Sequence, residues 1–232
     1  MTPALPLEPS PARPRGRPRK TAHDRDDGNR RRELLSAAAR LFRHQGFAAT
    51  STRDIAAAAG MQAGSPFYHF ENKQVLLAAV MQEGMHSALQ RQHLALAALD
   101  EAATAADRFR TLVRNHFEVL LGPNSDFIPV MLYEWRALEN SQMDEIAALK
   151  KRYEAAWVPA LRHLHASGHL TGDPGLVRLM IFGAMNWAVQ WYEAPDAAQA
   201  KTPPSAVGKP RRCASLDELT TTALQLFLKT PA

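Results

Sequence analysis

The chain has one cysteine, Cys213, in 232 residues. A single thiol excludes an internal disulfide and any zinc site built from clustered cysteines. Long apolar runs are missing too, since no stretch reaches the roughly 18 residues that a membrane-spanning helix needs. The first residues carry charge and proline where a secretory leader would be apolar, so the cytoplasm is the expected location. An excess of acid is also absent, and the net charge of +5 is unevenly distributed. Residues 1–32 hold nine basic side chains (Arg13, Arg15, Arg17, Arg19, Lys20, Arg25, Arg30, Arg31, Arg32) against four acids (Glu8, Asp24, Asp26, Asp27), and the rest of the chain is balanced. The surplus therefore lies at one end, where it can neutralise phosphates, release counterions and make binding fall steeply with salt.

Residues 1–28 are rich in proline and charge, lack helical periodicity, and read as a disordered basic tail. Within it Arg15-Gly16-Arg17-Pro18 resembles the core of an AT-hook, in which a flat backbone lays two arginines in a narrow A·T minor groove. The same residues read equally well as a sequence-indifferent cationic tail.

Behind the tail, Leu34, Leu35, Ala38, Leu41 and Phe42 share one helical face, which predicts a first helix from near Asn29 to His44, ended by Gly46. Ser51 can cap a second helix, Thr52 to Ala59, with Asp54 at N3 and Ile55 on its buried face. Gly60 then supplies the left-handed turn and Met61 an apolar contact. A third helix follows between Gln62 and Phe70, starting either at Gln62 or behind Ser65 with Pro66 in its first turn. Two short helices around a glycine turn form a helix-turn-helix, in which the second enters a major groove and the first crosses the backbone. A helical hairpin in an all-α core would share the alanine-rich pattern. The cationic tail directly ahead favours the nucleic-acid reading.

Thr52-Arg-Asp-Ile-Ala-x-x-Ala-Gly60, followed by Gly64-Ser-x-Phe-Tyr-His-Phe-x-Asn-Lys73, resembles the DNA-binding region of the TetR/AcrR family of bacterial transcriptional regulators. Two positions depart from that family. Phe67 stands where a tyrosine is usual and cannot donate a hydroxyl to a phosphate; Pro66 replaces a β-branched residue or leucine and lacks an N–H. The resemblance implies that Gln62, Ala63, Ser65 and Tyr68 face bases, that Phe67 and Tyr68 can touch a thymine methyl, and that Ser51, Arg53, His69 and Lys73 meet phosphate. Lys73 would open a fourth helix capped by Asn72, next to its free N–H groups.

From Leu76 to Trp191 the chain is helical and apolar, with breaks at residues 103–106, 122–124, 140–141 and 168–174. Phe109, Val113, His116 and Phe117 repeat at helical spacing, as do Met131, Trp135 and their neighbours, and most such residues are expected in plain core. In the TetR-like fold the corresponding helices surround an effector cavity. The resemblance therefore makes Phe109, Val113, His116, Phe117, Met131, Glu134, Trp135, Tyr153, Phe182 and Asn186 candidates for a hydrophobic ligand, with Arg136 a further polar exception.

Asp173-Pro174 marks a helix start, and the helix to about Tyr192 is apolar nearly all round, so two of its sides need covering. Gly183 and Ala184 would let a second helix approach closely. Ser215-Leu-Asp-Glu218 is a capping box that opens a last amphipathic helix. These two helices resemble the pair that forms the family's four-helix dimer interface, which implies Met180, Gly183, Ala184, Trp187, Trp191, Leu219, Leu224 and Phe227 as interface residues. Phe182 to Tyr192, Ser215 to Leu219 and Tyr133-Glu-Trp-Arg136 are also similar to a subgroup that senses acyl-CoA thioesters, although Lys201 to Arg212 looks like a basic insertion.

The expected architecture is all-α, with a tail (1–28), a three-helix DNA-binding domain (29–75) and a larger helical effector-binding and dimerisation domain (76–232). The leading function is a homodimeric regulator, a repressor by preference, that binds a palindromic double-stranded operator and is released by a hydrophobic effector such as an acyl-CoA. No cofactor, metal or membrane is implied. An architectural DNA-binding protein that relies on the arginine tail is the alternative. Catalysis has only His163-x-His165-x3-His169 as possible metal ligands, and these lie at a helix end where they can complement the macrodipole.

Overall fold

Caps and left-handed glycines divide the chain into ten α-helices among the residues that the computed structural model describes, which are 22–64, 66–123, 125–195 and 212–229. The first, α1 (Ala22–Gln45), starts well before the expected Asn29, so the end of the predicted tail is helical. Hydrophobic spacing had nothing to register there, because the apolar face begins only at Leu34. Gly46, at φ 84, ends the helix. In α2 (Thr52–Ala58), Ser51 and Asp54 form a reciprocal capping box. Gly60, at φ 67, closes it with two bonds, from Gly60 N–H to Ala57 O and from Met61 N–H to Ala56 O. That pair of bonds is a Schellman motif, which satisfies carbonyls that the helix end would otherwise leave bare.

Pro66 opens α3 (Pro66–His69), so Gln62 and Ala63 lie in the turn ahead of it and not in the helix. Proline is tolerated at that position because the N–H it lacks would have no intrahelical partner. Asn72 caps α4 (Lys73–Ala97), and a Thr104/Asp107 capping box opens α5 (Ala105–Leu121). The body continues with α6 (Phe127–Glu134), extended by a 3-10 turn Trp135–Ala137, then α7 (Asn140–Ala155) and α8 (Trp157–Ala166). Asp173 caps α9 (Pro174–Trp187), which passes into a 3-10 turn Ala188–Gln190. After two-residue parallel strands β1 (Tyr192–Glu193) and β2 (Arg212–Cys213), the Ser215/Glu218 capping box starts α10 (Leu216–Phe227).

Two cores hold these helices. One runs without interruption from Leu34, Phe42 and Ile55 of the head through Leu76, Val80 and Met81 of α4 to Ile128, Met131 and Tyr153 of the body. Through α4 this core is shared by head and body. The second core joins Phe109, Val113 and Phe117 of α5 to Trp157 of α8, Ile181 of α9 and Leu224 of α10. Among the described residues no helix is long and apolar enough to cross a membrane.

Candidate DNA-binding surface and effector cavity

The α2–α3 end of the head is exposed where it would have to meet DNA. Tyr68 is 78 % exposed, with its ring edge-on to His69 at 5.1 Å. Arg53, Gln62 and Ala63 are exposed as well. Ser51 is exposed too, but its hydroxyl donates to Asp54 at 2.6 Å and accepts from the Asp54 N–H, so the cap engages it first. Bonds from the Ser51 hydroxyl, the larger cause, and from the Ser51 backbone N–H hold the Asp54 carboxyl below its ordinary range. Arg15, Arg17 and Ser65 lie outside the described residues, as does the side chain of Phe67.

Lys73 is already engaged within the head. Its ammonium donates to the carbonyl oxygens of Phe47 at 2.8 Å and Thr50 at 2.9 Å, and stands 4.3 Å from the centre of the Phe47 ring. Two of its three N–H bonds thus tie down the loop that enters α2, a positioning role that the sequence reading did not include. The same loop is held from the body. Glu134 Oε1 accepts from the Phe47 N–H at 3.1 Å, and Glu134 is not part of the cavity lining described below. At the other end of α6, Asp126 takes a 2.8 Å ion pair from Arg43 of α1. Neither α6 contact has a signal at the level of hydrophobic spacing, since both join residues more than 80 positions apart.

A cavity of about 210 Å³ lies between α4, α5, α6, α7 and α9. Of the ligand candidates, His116, Met131, Tyr153, Phe182 and Asn186 line it, together with Met85, Ile128, Lys150 and Leu179, which the sequence reading did not single out. Phe109, Val113 and Phe117 are in the second core instead, at 0 %, 0 % and 4 % exposure, because they sit on the side of α5 that packs toward α8 and α10. Trp135 lies outside, under the Lys150 ammonium at 5.4 Å.

Inside the cavity, His116 Nε2 is 3.0 Å from Asn186 Oδ1 and Nδ1 is 3.1 Å from the Tyr153 hydroxyl. An amide oxygen only accepts, so Nε2 carries the proton and Tyr153 donates to Nδ1. Burial lowers the His116 pKa to about 4, with the Asn186 bond opposing, so the imidazole is neutral near pH 7. Burial likewise pushes the Tyr153 phenol up. Phe182 and Trp157 pack against the imidazole, with ring centres at 5.2 and 6.0 Å.

Two grooves adjoin the cavity. One, of about 440 Å³, is lined by Lys150, Lys151 and Arg178; the other, of about 460 Å³, by Lys150, Arg136 and Tyr133. Arg178 is also ion-paired with Glu154.

The outer face of α9 is bare. Leu176, Met180 and Trp187 are 65 %, 71 % and 64 % exposed, with Gly183 and Ala184 exposed between them and nothing within 4 Å of a Cβ at Gly183. On α10 the expected partner residues turn inward: Leu224 is in the second core and Leu219 and Phe227 pack on it, as does Trp191, whereas Leu226 is 75 % exposed. His163 and His165 are exposed, and His169 Nδ1 meets Ser167 Oγ at 2.9 Å, whose hydroxyl also donates to the His163 carbonyl. These histidines belong to the C-terminal cap of α8.

Residues 34–80 match the family model for bacterial regulatory proteins of the tetR family, and residues 102–195 match that for tetracyclin repressor-like C-terminal domains. The transcriptional repressor KstR2 of Mycolicibacterium smegmatis is 28 % identical over 167 residues, 71 % of this chain and 80 % of its own. Among solved structures, the superantigen PfiT is 33 % identical, with 87 % of this chain and 97 % of its own covered and a TM-score of 0.65. AibR, solved with isovaleryl coenzyme A and operator DNA, has a TM-score of 0.70 at 23 % identity, over 85 % of this chain and 97 % of its own. The chain belongs to the tetR family of bacterial regulatory proteins, a DNA-binding transcriptional regulator and not an enzyme.

Proposed function

We propose that the protein is a cytoplasmic, homodimeric repressor that binds a palindromic operator with the α3 end of each subunit and is released by an acyl-CoA. The observation that carries the effector class is Lys150, which lines both the apolar cavity and the two cationic grooves outside it. A ligand that fills this tract is apolar at one end and polyanionic at the other, as an acyl-CoA is. AibR, of the same fold, was solved with such a thioester and with operator DNA. A cavity of about 210 Å³ has room for roughly seven groups of the ~30 Å³ that a water occupies, which favours a short or medium acyl chain.

The bare α9 face is the surface for a second copy. A two-fold dimer carries two α3 ends, which predicts half-sites about one helical turn apart or a multiple of it. Within each subunit, α6 forms part of the cavity wall with Ile128, Met131 and Leu132, and its two ends hold Arg43 and Phe47 of the head. An acyl group that displaces α6 would move the start of α2, and it lowers operator affinity only as far as it prefers the displaced arrangement.

Fluorescence anisotropy on DNA from the upstream region of the protein's own gene tests the reading. Release by hexanoyl-CoA and not by hexanoic acid is the expected result; palindrome-dependent binding that no thioester disturbs would discard the effector. Trp187→Glu should give monomers in sedimentation and lose cooperative operator binding, and an unaltered dimer would discard the α9 face.

A further inference from the structure

The cavity wall is apolar apart from charged Lys150 and Glu154 and one connected, uncharged set: Tyr153, His116 and Asn186. The proton inventory of that set is closed at two positions. Tyr153 donates to His116 Nδ1, and His116 Nε2–H donates to Asn186 Oδ1. The Asn186 oxygen is thereby held toward the histidine, and the Asn186 side-chain nitrogen, which has no hydrogen-bond partner among the described residues, is left to donate into the cavity. Asn186 is half-buried, so this donor is free to bond an effector atom that enters the cavity, and the Oδ1 bond to His116 fixes which way it points.

We propose that this set reads the thioester carbonyl of the effector, with the Asn186 amide as donor and His116 as the positioning residue that fixes its orientation. The inference rests on the acyl-CoA reading. Its location supports it: Lys150 lines the outer grooves as well as the cavity, and Tyr153 follows three residues later on α7, one helical turn away on the same face. The thioester is the point in the ligand where the polar arm ends and the hydrocarbon begins. The polar set stands where the wall makes the same change, from charged to apolar.

The chemistry also accounts for a preference against free acids. A carboxylate at the Asn186 donor would exchange its water for one neutral partner, because the imidazole is uncharged and offers its remaining nitrogen to Tyr153, and it would gain a cationic partner only by moving to Lys150 and away from this donor. A carbonyl oxygen loses far less hydration and gains the same bond.

The test compares hexanoyl-CoA with S-hexyl-CoA, a thioether of the same chain length that lacks the carbonyl, by calorimetric titration of the full-length protein. The wild type is expected to bind the thioester about tenfold more tightly, the value of one well-placed hydrogen bond. Asn186→Leu should bring that ratio close to one, and His116→Leu should reduce it by freeing the amide to rotate. Equal affinity of the wild type for both ligands would overturn the carbonyl assignment and leave the acyl-CoA reading standing. Failure of both ligands to bind would remove the carbonyl assignment and the acyl-CoA reading together. A tenfold ratio retained in Asn186→Leu would overturn the choice of donor.

Discussion

Lys73 is the residue for which sequence and structure give opposite experimental signatures. Its ammonium makes two bonds to backbone carbonyls, at 2.8 and 2.9 Å, and covers the Phe47 ring. A hydrogen bond with a charged donor contributes about 1.5–3 kcal/mol and a cation–π contact about 0.5–2 kcal/mol. The three share one group and do not add, so Lys73→Met, which keeps the apolar stem, should cost roughly 2–4 kcal/mol of stability. The loss falls on residues 47–50, which lead straight into the Ser51 cap of α2, and operator affinity should drop with it. Urea unfolding gives the first quantity, and anisotropy across a salt series gives the second. A lysine on a phosphate would lower the slope of log K against log salt by about 0.9 when removed; a lysine engaged with carbonyls should change it by much less. A slope lower by that full amount with unaltered urea stability would refute the positioning role and return Lys73 to the phosphate surface.

His116, with a pKa of about 4 against the ordinary 6.5, takes a proton in the unfolded chain first, so stability should fall as pH drops from about 6.5 toward 4, by about 2 kcal/mol at pH 5. His116→Gln should remove most of that loss in paired urea titrations at pH 7 and 5, and an equal loss in the variant would place the acid sensitivity elsewhere. Gly84→Ala puts a Cβ 2.7 Å from Phe127 Cβ, an overlap expected to cost about 1–3 kcal/mol in urea unfolding; a neutral variant would mean that the α4–α6 contact yields freely. Glu134→Ala leaves the Phe47 N–H without its acceptor and should shrink the effect of hexanoyl-CoA on operator affinity more than it shrinks hexanoyl-CoA binding; an undiminished effect would separate this bond from the coupling.

What was legible in the sequence is what local chemistry dictates. Ser51 with Asp54, Asn72, Asp173 with Pro174, and Ser215 with Glu218 each act as read, because a cap is a bond between residues a few positions apart. Gly46 and Gly60 take positive φ for the same local reason. What was not legible is which neighbour a helical face meets. Phe109, Val113 and Phe117 have the same spacing as a cavity wall, and only the placement of α8 and α10 makes them core. Leu224 followed the amphipathic pattern into the interface prediction, whereas the structure packs it inward and leaves Leu226 bare. Lys73 and Glu134 took their expected roles from the family resemblance, and their partners on the Phe47 loop are backbone groups, to which no side-chain pattern points.

The joint between cavity and head combines one stiff contact with three weaker polar ones, and their relative strengths restrict how it can move. At the start of α6, Phe127 is packed so closely on Gly84 that not even one methyl fits, and a displacement there would meet steric repulsion at once. The Arg43–Asp126 pair beside it is about a quarter exposed at each partner, a setting in which an ion pair contributes no more than ~1 kcal/mol. The far end of α6 is held by the Glu134–Phe47 bond, and the 3-10 turn that extends it accepts at Ala137 O from Gln74 Nε2 at 3.1 Å. A bulky acyl group against Met131 and Leu132 presses nearer that far end than the Gly84 contact. On the proposed acyl-CoA reading, α6 has a stiff end and a softer one, and the softer end holds the loop that leads into α2. A coupling of 1–3 kcal/mol, the usual size for allosteric sites, is the same order as one charge-assisted hydrogen bond, so the proposed release by an acyl-CoA requires changes in only these few bonds and no unfolding of the head.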